Sequence, residues 1–222
     1  MSLKKILLFC LELLFPPRCV FCGRVIAPGT KICRACAETI TPVNTFRCMN
    51  LPGTGQNIPC GILYPYEGPI RDSIIRFKFY GEKENSDFYA EQLAKLIQSH
   101  APVPDLVTAV PISSQRKKKR GYNQSELIAR KTAETLGLPY AECLKKIHDN
   151  REQHLLPRSE RIRNVRGVYR AVEEEAKGKK ILLIDDIITT GSTLCECCRE
   201  LLRGGAKTVV CAAVAQVDKT TC

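Results

Sequence analysis

The chain has 222 residues, 44% of them hydrophobic and 26% charged. That is enough for one substantial core with a small appendage, and too apolar for a disordered segment. A formal charge of +11, with thirteen cysteines, argues against a secreted disulfide scaffold and for an anionic partner.

The opening MSLKKILLFCLELLFPP places Lys4 and Lys5 before an apolar run, as a signal peptide would. Glu12 interrupts the run, no small-residue cleavage site follows, and the run is too short to span a bilayer. The expectation is a short amphipathic helix ended by Pro16 and Pro17, in a cytoplasmic protein with reduced thiols and no transmembrane segment. Cys19-Val-Phe-Cys22 and Cys33-Arg-Ala-Cys36 follow, two C-x-x-C knuckles ten residues apart. Four thiolates so spaced surround one Zn²⁺ tetrahedrally, a closed and therefore structural site. Cys48 and Cys60 each have a leucine, Leu51 and Leu63, where a second knuckle cysteine would stand, so a second zinc is not expected.

Up to about Cys60 the chain is rich in Cys, Pro and Gly; beyond it, strand and helix patterns alternate. The expected division is 1–60, a helix and a four-cysteine zinc module, and 61–222, an α/β domain. GILYPYEG reads as a strand, DSIIRFKFYG as a helix ending near Gly81, and FYAEQLAKLIQSH as a second helix. LVTAVP is a strand stopped by Pro111; SELIARKTAETLG is a helix capped by Ser125 and ended by Gly137. GVYRAV, KILLID and TVVCAAVA complete the strands, with TLCECCRELLRGG as the helix between the last two. Such alternation predicts a parallel sheet covered on both faces, with its site at the carboxyl ends of the strands. Cys143, Cys195, Cys197, Cys198 and Cys211 are expected to pack as small apolar residues.

Asp185 and Asp186 stand at such an end, where the apolar KILLI run emerges, and Thr189, Thr190, Gly191, Ser192 and Thr193 turn from there into a helix. Thr193 and Glu196 have the spacing of a capping box. Backbone N–H groups, the helix dipole and the hydroxyls suit a phosphate, and Gly191 allows close approach. Two carboxylates beside a phosphate suit vicinal hydroxyls of a sugar. Upstream, between Arg116 and Arg170, fifteen Lys and Arg face six Asp and Glu. Arg116 and Arg120 flank three lysines there, a composition suited to a polyanion. Tyr122 beside them either stacks on a base or packs beneath its loop. Residues 148–164 are polar with no clear helix or strand, as a mobile lid would be.

The stretch 181–193 resembles the phosphoribosyl-pyrophosphate (PRPP) loop of type I phosphoribosyltransferases. In that family the acidic pair holds the ribose hydroxyls and the threonine-rich turn the 5′-phosphate. The segment 106–124, with its VP ending and RGYNQ closing, is similar to the ComF family associated with competence. So are Arg151, Gln153, Leu155, Arg161, Asn164, Gly167 and Tyr169 and the opening LLFPPRCVFCG. The resemblance implies a type I phosphoribosyltransferase-like sheet with flanking helices beside a zinc-ribbon-like module. It implies PRPP with Mg²⁺ on Asp185, Asp186, Thr189, Thr190, Gly191, Ser192 and Thr193. Arg116, Lys117, Arg120, Gly121, Asn123 and Gln124 would hold pyrophosphate, under a mobile loop carrying Arg151, Gln153, Arg161 and Asn164. The implied role is DNA uptake, with single-stranded DNA as a second ligand and a DNA-uptake helicase as partner. The alternative is a metabolic phosphoribosyltransferase that moves ribose 5-phosphate onto a base or amine and releases pyrophosphate. No base-specificity hood is visible where the cysteine knuckles stand, which favours the first.

Overall fold

The computed structural model describes residues 16–148 and 164–217. The predicted N-terminal helix and the lid residues Arg151, Gln153 and Arg161 therefore lie outside the described residues.

A short helix α1 (Arg34–Thr39) follows the cysteine knuckles, and then a hairpin, β1 (Thr45–Leu51) with β2 (Gln56–Pro65). Helices α2 (Gly68–Phe79) and α3 (Asn85–His100) lead to β3 (Leu106–Ala109), α4 (Ser114–Arg120) and α5 (Gln124–Leu136). After β4 (Leu144–Lys146), β5 (Tyr169–Ala171) and the single turn α6 (Glu173–Ala176) come β6 (Lys180–Ile188), α7 (Ser192–Arg203) and β7 (Thr208–Gln216).

The main sheet runs β1-β2-β7-β6-β3. Its β2–β7, β7–β6 and β6–β3 pairs are parallel, and β1 joins antiparallel at the edge. β6 and β7 are apolar on both faces because both faces are covered. Leu182, Ile184, Val210 and Ala212 meet Phe77, Tyr89, Leu93 and Ile128 on one side, while Leu183, Cys211 and Ala213 meet Leu194, Cys197, Cys198 and Leu201 on the other. Those last four residues follow helical spacing, so α7 buries one stripe in which two cysteines serve as small apolar groups, as expected. Burial holds the Cys197 thiol well above its ordinary range, and the hydrogen-bonded Cys198 sulfur 3.3 Å away, followed by burial, does the same for Cys211.

Three local expectations need correction. GVYRAV contributes β5, which pairs antiparallel with β4 in a separate two-stranded sheet; Tyr169 is buried but Arg170 is exposed, so β5 packs on one face only, unlike β6 and β7. The α5 cap is Asn123, whose side chain accepts from the Ser125 N–H at 3.1 Å, and Ser125 is thereby free to use its hydroxyl elsewhere. At α7 no side chain caps the helix: Gly191 takes the N-cap position with a φ of 78°. Glu196 is buried and turns instead to the Gly167 N–H at 2.8 Å and to Arg199.

β2 begins at Gln56 and pairs with β7 from Cys60 onward, so strand pairing runs across the chain near residue 60. The cysteine module is also docked on the sheet domain. Phe21 packs edge-on against Tyr64 and Phe88, at 5.6 and 5.4 Å between ring centroids. Arg76 of α2 donates to the Val20 and Phe21 carbonyls, each at 2.9 Å.

Candidate functional site

β6 delivers Asp185 and Asp186 at its carboxyl end, both only 9% exposed. Two adjacent carboxylates in such burial need specific partners. Asp185 Oδ1 accepts from the Ser125 hydroxyl at 3.0 Å and from the Asp186 N–H at 2.9 Å. Asp186 Oδ2 meets the Lys78 ammonium at 2.8 Å, with both side chains largely buried. Burial, and then the charge of Asp186, push the Asp185 carboxyl up to about 7, against the pull of Lys78 and the two hydrogen bonds.

Beyond the pair, the turn tightens on itself. Thr190 Oγ1 lies 2.7 Å from Ser192 Oγ and accepts from the Ser192 N–H at 3.4 Å. Gly191 needs its left-handed φ, and a Cβ there would meet Met49 Sδ of β1 at 3.2 Å. The hairpin thus abuts the turn directly. Between hairpin and α7 opens a cavity of about 1310 Å³, lined by Arg47, Met49, Ile188, Gly191, Arg199 and Gln216 among others.

The basic segment sits on α4 and the loop that follows. Ser113 caps α4, accepting from the Arg116 N–H, and Gly121 ends it with a φ of 78°. Lys117 pairs with Glu126 at 3.2 Å, whereas Arg120 stacks over Phe79 at 5.0 Å and donates to Gln124 at 3.3 Å. Asn123 and Gln124 are buried: Asn123 donates to the Val110 carbonyl and Gln124 to that of Lys78, at 3.0 and 3.4 Å. Both amides stitch the loop to β3 and α2. Tyr122 is buried, with its hydroxyl on the Phe77 carbonyl and Lys83 over its ring, so of its two readings the packed one holds. Phe79 and Tyr80 at the end of α2 are the exposed aromatics beside this segment, 58% and 75% accessible. Asn164 is half-buried where the described chain resumes.

Sequence reasoning missed Lys78, the hydroxyl role of Ser125 and the hairpin residue Met49. Lys78 did carry a signal: it follows Ile70 and Ile74 on the buried stripe of α2, and a charge on such a stripe requires a buried partner. Met49 carried none, since its contact with Gly191 depends on tertiary packing.

At the amino end the Sγ atoms of Cys19, Cys22, Cys33 and Cys36 all lie within 4.8 Å of one another. Cys22 and Cys33 sulfurs are 3.7 Å apart, close to the edge of about 3.8 Å of a tetrahedron with Zn–S bonds of about 2.3 Å. The Cys33 N–H donates to Cys19 Sγ at 3.3 Å. Burial raises the Cys19 thiol, but N–H donors from Cys22, Cys33 and Phe21 bring it down to about 7, favouring thiolate. The donor set fits one structural Zn²⁺. Cys48 pairs with Pro59, and Cys60 with Arg47, so the two cysteines fall on opposite faces of the hairpin and share no site. Among the described residues no other cluster of this kind occurs, and no helix is long and apolar enough to cross a membrane.

Comparison with known proteins adds to this geometry. A family model described as the phosphoribosyl transferase domain matches residues 110–221, half of the chain. The chain belongs to the phosphoribosyltransferase domain family. A double zinc ribbon domain matches residues 10–55, across all four metal-site cysteines. The DNA utilization protein YhgH of Escherichia coli (strain K12) is 29% identical over 217 residues, covering 87% of this chain and 94% of that protein. The competence protein ComFC of Bacillus subtilis (strain 168) is 28% identical over 203 residues, covering 82% of each. The chain thus joins a phosphoribosyltransferase domain to an amino-terminal zinc ribbon and is similar to these ComF-type proteins over most of its length. Among solved structures, a glutamine PRPP amidotransferase from B. subtilis, complexed with ADP and GMP, is 27% identical over 58% of this chain and 25% of that one, with a TM-score of 0.41. The phosphoribosyltransferase family match begins at Val110, so Lys78 and the hairpin lie outside it.

Proposed function

We propose that the protein binds PRPP at the end of β6 and acts in competence and DNA uptake. Asp185 and Asp186 take the ribose hydroxyls, and Thr189, Thr190, Gly191, Ser192 and Thr193 take the 5′-phosphate. The observation that carries this reading is the pair of buried acids joined directly to a hydroxyl-lined turn at a helix N-terminus. The carboxylates have partners that a diol can replace, and the turn has N–H donors for an anion. Arg116, Lys117, Arg120 and the Gly121 turn, held in place by Asn123 and Gln124, flank the pyrophosphate, which Mg²⁺ accompanies. Arg151, Gln153, Arg161 and Asn164 are assigned to the same ligand by family resemblance.

The division of labour follows the chain: 1–60 as the metal module and 61–222 as the ligand domain, in a cytoplasmic protein. Exposed Lys118 and Lys119, with Phe79 and Tyr80 nearby, form a surface for single-stranded DNA, since stacking on aromatics and backbone charge pairing are the two terms of such binding. The relatives' names, DNA utilization and competence proteins, agree with that partner, and family resemblance adds a DNA-uptake helicase. A second reading is favoured by the cavity beside the turn, which has room for an acceptor: a metabolic phosphoribosyltransferase. Titration with PRPP and Mg²⁺, with and without single-stranded DNA, while pyrophosphate release is followed, separates the two. Binding without release supports the first reading; release that depends on an added base or amine supports the second.

A further inference from the structure

The ion pair between Lys78 and Asp186 raises a question that the ligand site alone does not answer. A ribose diol that takes Asp186 Oδ2 as its acceptor competes with an ammonium only 2.8 Å away, whose side chain is 17% exposed. A displaced lysine in such burial needs a new anion, because an unpaired buried charge is costly. The chain does not offer one nearby on α2, where Asp72 is engaged with Arg71 at the far end of the helix. Glu82, the nearest acid after Lys78 in sequence, is held by Arg76 at 3.1 Å and by Asn85 at 3.0 Å, and Asp185, beside Asp186, already shares its Oδ1 between Ser125 and the Asp186 N–H.

Lys78 is also fixed in direction. Its backbone carbonyl accepts from Gln124, its predecessor's from Tyr122, and the ring of its successor lies under Arg120. Three consecutive residues of α2 are therefore fastened to the loop 120–124, which carries the basic segment. The flexible four-carbon stem starts from a rigid base between the acidic pair and that segment.

We propose that Lys78 is a partner-switching counter-ion: it holds Asp186 in the free protein and passes to the anion on the ribose C1 when a phosphoribosyl ligand takes the carboxylate. This rests on the PRPP reading above and adds a selectivity to it. A ligand with a C1 pyrophosphate supplies the replacement anion within the same molecule; ribose 5-phosphate does not, and must leave Lys78 stranded. Lys78 thus discriminates the activated sugar from its hydrolysis product, apart from any contact to the 5′-phosphate.

The test compares dissociation constants of PRPP and of ribose 5-phosphate, each with Mg²⁺, for the zinc-loaded parent and for Lys78→Met. In Lys78→Met, PRPP affinity is expected to fall about 10- to 100-fold, the worth of one charge-assisted contact. Ribose 5-phosphate affinity is expected to stay level or rise, so the preference for PRPP shrinks at least about tenfold. Equal losses for both ligands, or an unchanged ratio, overturn the proposal and assign Lys78 to support of Asp186 alone. If Lys78→Met does not fold, Lys78→Gln, whose amide still donates to Asp186, carries the same comparison. A parent that binds neither ligand refutes the PRPP reading itself, a result distinct from a parent that binds PRPP with a ratio indifferent to Lys78.

Discussion

Two regions of the molecule crowd groups that repel one another once ionised, and they resolve it differently. At the amino end four thiols converge within 4.8 Å; at the end of β6 two carboxylates stand side by side in burial. The thiol cluster fits a metal cation, which, once bound, closes the coordination shell and leaves nothing to exchange. The carboxylate pair uses a lysine, a hydroxyl and a backbone N–H, each of which a ligand can replace. A closed shell makes scaffold and an open one makes a site. The comparison thus separates structural from functional clustering by the nature of the counter-charge, not by burial or residue count.

The largest expected effect comes from breaking the closed shell. Cys36→Ser should lose the zinc, measured as metal per chain falling from one toward none, and lower Tm by on the order of 10 °C, because the bound metal supplies folding energy to the module. The module's docking through Phe21 and Arg76 predicts that α2 loses protection from hydrogen exchange in the same variant. Two zincs per chain in the parent would contradict the single-site reading.

A pH scan sharpens the other side of the comparison. Asp185 is raised from 3.8 to about 7 by burial and by Asp186, so the folded protein binds this proton more tightly than the unfolded chain does. Its contribution is full below the unfolded value and is lost as pH rises to about 7. Ligand-free Tm should therefore decline between about pH 4 and pH 7, by on the order of 5 °C from this group, and Asp185→Asn should flatten that decline.

The basic surface gives a smaller effect. Changing Lys117, Lys118 and Lys119 together to Ala should weaken single-stranded DNA binding for all sequences alike. Each lost phosphate contact should flatten the slope of log K against log salt by roughly 0.7. Tyr80→Ala should cost a further 1 to 3 kcal/mol, roughly, if the exposed ring stacks on a base. Tyr122→Ala is expected to act through stability instead, since that ring is buried. The smallest effect is Cys48→Ser, which should leave zinc content and Tm unchanged.

Much of the fold was legible in the sequence. β6 and β7 announce themselves because strands covered on both faces are apolar throughout, and Gly137 ends α5 as a left-handed cap. The zinc knuckles were legible because both the spacing and the residue type are dictated by tetrahedral coordination. What the sequence concealed depends on long-range packing. GILYP was legible as the apolar end of β2, but β1 and the start of β2 are largely exposed and lack a period-2 signature strong enough to mark them. Ser125 has the composition of a cap, yet Asn123 two residues earlier takes that role, and only the approach of β6 shows what the serine hydroxyl serves. Glu196 likewise has capping-box spacing but is drawn to Gly167 across 29 residues.

The central claim is that the acidic pair and the turn after it hold a phosphoribosyl ligand. Its most direct measurement is calorimetric titration of the zinc-loaded protein with PRPP and Mg²⁺, for the parent and for Asp185→Asn with Asp186→Asn. The account predicts saturable binding by the parent, weakened at least about 100-fold in the double variant, which keeps its zinc and its fold because those side chains meet the ligand rather than the core. Equal PRPP affinity in a folded double variant, or no binding by the parent at all, would contradict it.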